Sequence, residues 1–148
     1  MSVLAFNRRG GYYRKQTSYR SGLEDKIATQ MEEAGIPVSY ETHKLTYTIP
    51  EKKHTYTPDF VLPNGIIIES KGLFESADRQ KHLLIKEQYP HLEIRFVFSN
   101  PNTKIYKGSK TTYAAWCKKH GFMYAAKYIP YEWLNDTTCY PTEGLVSK

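Results

Sequence analysis

Thr57-Pro58-Asp59-Phe60-Val61-Leu62-Pro63-Asn64-Gly65-Ile66-Ile67-Ile68-Glu69-Ser70-Lys71 is the stretch that decides how this chain folds. Two apolar runs flank a Pro-Asn-Gly turn signal, the pattern of a β-hairpin. Side chains alternate faces along a strand, so the loop length sets which residues meet. A two-residue Asn64-Gly65 loop would pair Pro63 with Ile66, although Pro63 has no N–H to give. A three-residue loop is predicted instead, with Leu62-Pro63-Asn64-Gly65 as a type I turn and Gly65 at positive φ. Leu62 then faces Ile66, Val61 faces Ile67, Phe60 faces Ile68 and Asp59 faces Glu69. Opposed residues share a face at roughly 5 Å between Cβ atoms. Lys71 lies on that face too. Ile66-Ile67-Ile68 is apolar on both faces, as a central, doubly covered strand requires. Charged residues at the end of such a strand are costly without partners.

The rest of the chain bounds the answer. A length of 148 residues with 40% hydrophobic content fits one globular domain with a real core. No run is long enough to span a membrane. Arg8-Arg9 has no apolar stretch behind it, so neither a secretory nor a twin-arginine signal is read, and a cytoplasmic location is expected. Cys117 and Cys139 lack metal-ligand spacing and are expected to be free thiols. The net charge of +6 is unevenly spread. Residues 1–20 carry Arg8, Arg9, Arg14, Lys15 and Arg20 and no acid. Residues 94–131 carry seven bases and no acid, whereas residues 21–93 carry eight bases and twelve acids. Two basic segments thus flank an acidic middle that holds the hairpin, a pattern suited to a polyanion gripped on either side of a metal centre.

Residues 1–20 read as a flexible basic arm, in which two readings of Tyr12, Tyr13 and Tyr19 stay open: stacking on bases or sugars, and ordinary residues of a disordered tail. Residues 21–136 read as the folded domain and 137–148 as a C-terminal tail. Ser21-Gly22-Leu23-Glu24 opens a helix with a Leu23, Ile27, Met31, Ala34 stripe, ended by Gly35. A strand region from Val38 to Ile49 follows, then a polar connector, Pro50 to His54, then the hairpin. A second helix is expected from Glu75 to Gln88 and a strand from Glu93 to Phe98. Ser109 is positioned to cap a third helix from Lys110 to Lys119, anchored by Trp116 and stopped by Gly121. A strand from Phe122 to Ala125 and a helical turn from Ile129 to Leu134 complete an α/β domain with a mixed sheet.

Asp59 and Glu69 are hard oxygen donors of the kind that hold Mg²⁺, and the main-chain carbonyl of Ser70 offers a third oxygen. Lys71 beside them points to chemistry rather than ion storage: it can orient or deprotonate a water, or stabilise a pentavalent phosphorane. Pro58-Asp59, nine residues, then Glu69-Ser70-Lys71 is the PD-(D/E)xK nuclease signature. Arg20-Ser21-Gly22-Leu23-Glu24-Asp25-Lys26, His54-Thr55-Tyr56-Thr57-Pro58-Asp59-Phe60, Lys81-His82-Leu83-Leu84-Ile85 and Lys104-Ile105-Tyr106-Lys107-Gly108-Ser109 resemble the phage endonuclease I family, from about residue 19 to residue 134.

That resemblance implies a restriction-endonuclease-like mixed β-sheet flanked by helices, and an enzyme that resolves four-way (Holliday) DNA junctions. It implies catalytic roles for Glu24, Asp59, Glu69 and Lys71. Asp59 would bridge two Mg²⁺ ions per site, with Mn²⁺ able to substitute; Glu69 would bind one and Glu24 would help hold the second. No nucleotide cofactor is implied. It implies a domain-swapped homodimer in which helix one and the first strand pack on the partner, with Pro50 to His54 as the crossing segment. Arg8, Arg9, Arg14, Lys15, Arg20, Lys104, Lys107 and Lys110 are the expected DNA contacts.

Two readings of Glu24 stay open, because Ser21-x-x-Glu24 is also a capping box in which the carboxylate satisfies a helix-end N–H; Asp25 is the alternative metal acid. His54 is read as a possible phosphate contact, and His43, His82, His91 and His120 as surface or core residues. Arg79, Lys81 and Lys86 are read as a solvated face. The segment Thr142 to Lys148 is not basic, so no grip on DNA is expected there. Two readings compete with junction resolution: a general duplex endonuclease of the same superfamily, and a non-catalytic branched-DNA binder. The intact Asp59, Glu69 and Lys71 set argues against the binder.

Overall fold

A computed structural model of the protein describes Tyr19, residues 21–49 and residues 52–148. The expected DNA contacts Arg8, Arg9, Arg14, Lys15 and Arg20 lie outside these residues, as do Tyr12, Tyr13 and Pro50. The order is α1 (Gly22–Glu33), β1 (His43–Ile49), β2 (Lys52–Tyr56), β3 (Phe60–Val61), β4 (Ile67–Lys71), α2 (Ser76–Gln88), β5 (Ile94–Phe98), α3 (Tyr113–His120), β6 (Met123–Ala126), α4 (Tyr131–Leu134) and β7 (Val146–Ser147). One sheet runs β3-β4-β5-β6 and a second runs β2-β1-β7. In the first, β3 and β4 are antiparallel, while β4–β5 and β5–β6 are parallel. Helices α2 and α3 form the two crossovers that parallel pairing demands. The architecture is mixed α/β, as expected.

The hairpin has the predicted register. Phe60 pairs with Ile68 and Val61 with Ile67. Leu62 N–H donates to Ile66 O at 2.8 Å, and Gly65 N–H closes the turn onto Leu62 O at 2.8 Å. Gly65 has φ of 94°, and a Cβ there would collide with the Tyr140 carbonyl, so glycine is required twice over. Asn64 locks the loop tip: its Nδ2 donates to Trp133 O and Asp136 O at 3.0 and 2.9 Å, and its Oδ1 accepts from Ile66 N–H.

Strand parity divides the core. Phe60, Leu62, Ile66, Ile68 and Val97 pack under Ile27, Ala28 and Met31 of α1. Ile67, Phe96 and Phe98 pack on the other face against Phe74, Ile85, Tyr113 and Trp116. Strands β4 and β5 are buried almost throughout because each has a strand on both sides and helices on both faces. Helix α1 is capped by Ser21, whose Oγ accepts from Glu24 N–H at 3.1 Å. It ends in a Schellman turn, with Ile36 N–H on Met31 O and Gly35 N–H on Glu32 O.

Several boundaries differ from the sequence reading. Ala34 is the exposed C-cap of α1, and Ala28 takes its place in the stripe. The first strand begins at His43; Tyr40 makes only an isolated bridge to Phe60. Lys52, Lys53 and His54 belong to β2 rather than to a connector, paired with Ile49, Thr48 and Tyr47. Lysine suits such an edge strand because it blocks further pairing. Helix α3 starts at Tyr113, capped by Thr112 and not Ser109. The cause is extended pairing just before it, where Lys104 bridges Thr112 and Ile105 N–H bonds Thr111 O. Residues 137–148 fold onto the domain: Tyr140 N–H bonds Asn64 O, and β7 pairs Lys44 with Val146 and His43 with Ser147. No helix among the described residues is long and apolar enough to cross a membrane.

Candidate active site

Ser21, Glu24, Asp59, Glu69, Ser70, Lys71, Asp78 and Lys81 line an open, largely polar cleft of about 380 Å³. Three elements build it. The antiparallel ladder stops at Phe60–Ile68, and the chain bends at Asp59. Asp59 and Glu69 therefore meet as predicted, but through a side chain: Asp59 N–H donates to Glu69 Oε2 at 3.0 Å. Glu69 sits on the α2 face of β4, where its Oε2 also accepts from Tyr56 Oη at 2.7 Å. Its Oε1 faces Lys71 Nζ at 3.8 Å and His82 Nε2 at 3.7 Å. Asp59 Oδ2 accepts from Ser70 N–H at 2.9 Å and from Ser70 Oγ at 3.0 Å. One oxygen of each carboxylate is thus held by fixed donors. Lys71 Nζ is also drawn to Asp78 Oδ1 at 3.4 Å. Asp78 in turn accepts from Glu75 N–H at the start of α2, which anchors the pair to a helix end.

Glu24 comes from the first turn of α1 and is 5% exposed. Ser21 caps the helix through its own hydroxyl. Glu24 Oε1 has no hydrogen-bond partner, so this oxygen is not consumed by capping. Glu24, Asp59 and Glu41 place carboxylate oxygens within 4.8 Å of one another.

The crowding shows in the electrostatics. Burial, then the charge of Glu69, then that of Glu24 push the Asp59 carboxyl up to about 9 against an opposing bond from Ser70. Burial also raises Glu69, but His82, the Lys71 ammonium and the Tyr56 hydroxyl outweigh it and hold Glu69 below the usual range. Burial lowers Lys71, and the charges of Glu69, Asp78 and Asp59 more than reverse this, so the side chain stays an ammonium at neutral pH. Burial keeps His82 below its ordinary value despite Glu69, so it stands beside Glu69 as a neutral imidazole. The two rings around Glu69 brace each other, with Tyr56 and His82 edge-to-face at 5.2 Å.

Asp59, Glu69, Lys71 and Glu24 therefore converge, with Ser70 among them. Asp25 is exposed and outside the cleft lining. Lys104, Lys107 and Lys110 are exposed between β5 and α3, apart from that lining. Lys81, read as a solvated face, is a wall of the cleft. Arg79 is a strut instead, donating to Phe74 O at 2.6 Å and Ile105 O at 3.3 Å. Lys86 lies over the Phe122 ring. His54 is in β2 opposite Tyr47. Sequence reasoning gave no role to Tyr56, Asp78 or Glu41. The alternation Leu45, Tyr47 and His54, Tyr56 carried a faint signal for Tyr56; nothing local marked Glu41.

A family model described as phage endonuclease I matches residues 5–148. Endonuclease I of Escherichia phage T7 is 58% identical over 123 residues, 83% of this chain and 83% of that protein. Endodeoxyribonuclease 1 of Enterobacteria phage T3 is 58% identical over 113 residues, 76% of this chain and 74% of that protein.

Proposed function

The chain belongs to the phage endonuclease I family, and on that basis we propose that it is a divalent-metal-dependent DNA endonuclease that resolves four-way junctions and other branched DNA by paired hydrolysis of phosphodiester bonds. The relatives' names support internal cleavage of DNA. The observation that carries the reading is the convergence of Glu24, Asp59, Glu69 and Lys71 on one open polar cleft.

The donor set fits a hard cation. A buried Glu24 oxygen without a hydrogen-bond partner, next to an Asp59 carboxyl raised by its neighbours, is an arrangement that a hard divalent cation would satisfy. Asp59, Glu69, Glu24 and the Ser70 main-chain carbonyl would hold two ions per site, Mg²⁺ with Mn²⁺ able to replace it. Such ions, when bound, neutralise charge on the scissile phosphate and acidify a bound water. Lys71 presents a fixed ammonium to charge that develops on the phosphate, the role of an electrostatic stabiliser rather than a base. Tyr56 and Ser70 hold the two carboxylates in place for it. Lys104, Lys107 and Lys110, with the basic arm of Arg8, Arg9, Arg14, Lys15 and Arg20, would grip the DNA backbone. The working species would be a homodimer exchanging α1 and β1, so that Glu24 of each copy completes the partner's site. Its place of work would be the host cytoplasm, where branched DNA arises.

Cleavage of a four-way junction and of linear duplex with the same sequences, in Mg²⁺ or in EDTA, tests this. Mg²⁺-dependent cutting that strongly prefers the junction is expected. Equal cutting of both substrates would make the protein a general duplex endonuclease. Junction binding with no cutting in Mg²⁺ would make it a non-catalytic binder.

A further inference from the structure

Glu41 lies 17 residues after Glu24 and 18 before Asp59, in the irregular segment between α1 and β1. Three observations set it apart. Its backbone has φ of 53°, a left-handed conformation that a glutamate seldom adopts. Its N–H donates to Asp59 O at 3.0 Å, beside the Tyr40–Phe60 bridge, so the segment continues the free edge of β3. Its carboxylate thereby reaches within 4.8 Å of those of Glu24 and Asp59. Acids do cluster on surfaces without purpose, but this cluster has a buried member. Glu24, a member of the cluster, is 5% exposed, and its Oε1 has no hydrogen bond to occupy it. Three carboxyl groups this close repel when ionised, and a strained backbone that holds them together is the kind of feature found at functional sites.

The geometry points to Glu41 as a third carboxylate ligand of the divalent ion held by Glu24 and Asp59. This assignment rests on the metal-dependent reading above. It also ties the ion to both α1 and β3, since the Glu41 main chain is bonded to Asp59.

The test is Mn²⁺ binding to the metal-free full chain by calorimetry, for wild type, Glu41→Gln and Glu41→Gly. Glu41→Gln removes the charge at constant shape. Glu41→Gly removes the carboxylate and relieves the left-handed backbone, so its melting temperature in EDTA should equal or exceed that of wild type. Both variants are expected to lose at least about tenfold in affinity at one Mn²⁺ site, the size of effect that even outer-shell partners reach. The Mg²⁺ needed for half-maximal cleavage should rise in parallel, with junction binding in EDTA unchanged. Weaker Mn²⁺ binding by a Glu41→Gly chain that melts no lower than wild type supports the assignment and excludes a folding defect. Wild-type Mn²⁺ isotherms in both variants overturn it while leaving the proposed function standing. A wild-type chain that takes up no Mn²⁺ and cleaves equally in EDTA overturns the metal-dependent reading, and this assignment with it.

Discussion

Asp59 shows what a single residue gives up to be useful. Burial and the charges of Glu69 and Glu24 raise its carboxyl to about 9, so in the metal-free protein its ionisation opposes folding. A carboxyl raised in the folded state contributes stability that is present below its unfolded value and is lost as pH rises through the folded one. Metal-free wild type should therefore lose stability between about pH 4 and about pH 9, and Asp59→Asn should lose less. We expect Asp59→Asn to abolish cleavage while melting about 2–4 °C higher in EDTA at pH 8, near 1 kcal/mol. A variant melting below wild type there would contradict the account. Glu69→Gln keeps the shape that Tyr56 and the Asp59 N–H grip. It should fold and bind junctions with near wild-type affinity, yet cleave at least about a hundredfold more slowly, because backbone contacts supply most of the affinity. Gel-shift and cleavage assays on one preparation check both halves. The cysteines give a separate test. Cys117 is buried, which lifts its thiol to about 12, and Cys139 is exposed. A thiol reagent at neutral pH should titrate one group in the native chain and two in denaturant.

The hairpin is the element on which the rest depends. Its three-residue loop sets the Phe60–Ile68 register that brings Asp59 beside Glu69, and one residue fewer would send them to opposite faces. Gly65 holds that loop with φ of 94° against the Tyr140 carbonyl. Gly65→Ala should cost at least about 2 kcal/mol, combining left-handed strain with a backbone collision. Thermal melting measures it, and a loss under about 0.5 kcal/mol, the size of an ordinary surface change, would show that the loop is not so constrained. This turn was legible because Pro63 cannot donate and Asn64-Gly65 favours positive φ, both properties of single residues. The start of α3 was not legible. Ser109 and Thr112 are equally good caps locally, and the Lys104–Thr112 bridge, made across the loop, chose between them. The second strand was hidden for a related reason: Lys52, Lys53 and His54 look like a loop, and only pairing with β1 makes them a strand.

At the scale of the whole molecule, Glu24 is joined to Asp59 by the packing of α1 on β4 through Ile27, Met31, Ile66 and Ile68. The same contacts serve within one chain or between two that exchange α1 and β1. Mixing separates these cases. Glu24→Ala and Asp59→Ala chains, each inactive, should on joint refolding yield a heterodimer with one intact site if the elements are exchanged. That mixture should recover roughly a quarter of wild-type nicking, half the chains being mixed and each mixed dimer holding one site of two. No recovery would mean that each site is built within one chain. The C-terminal residues belong to this scale too, since Tyr140 and β7 seal the hairpin loop and the outer edge of β1.

By itself the sequence determined the hairpin, its parity and the Asp59, Glu69 and Lys71 set, because alternation along a strand and the chemistry of a turn are local. The capping pattern at Ser21 and the Gly35 stop of α1 were local as well. Only the tertiary structure decided that Glu24 turns to the site, that Tyr56 and His82 enclose Glu69, and that Glu41 arrives beside Asp59 from a segment with no periodic signal. Those residues are separated from the hairpin by long stretches of chain, and what unites them is burial and sheet-edge pairing, which no spacing along a sequence encodes.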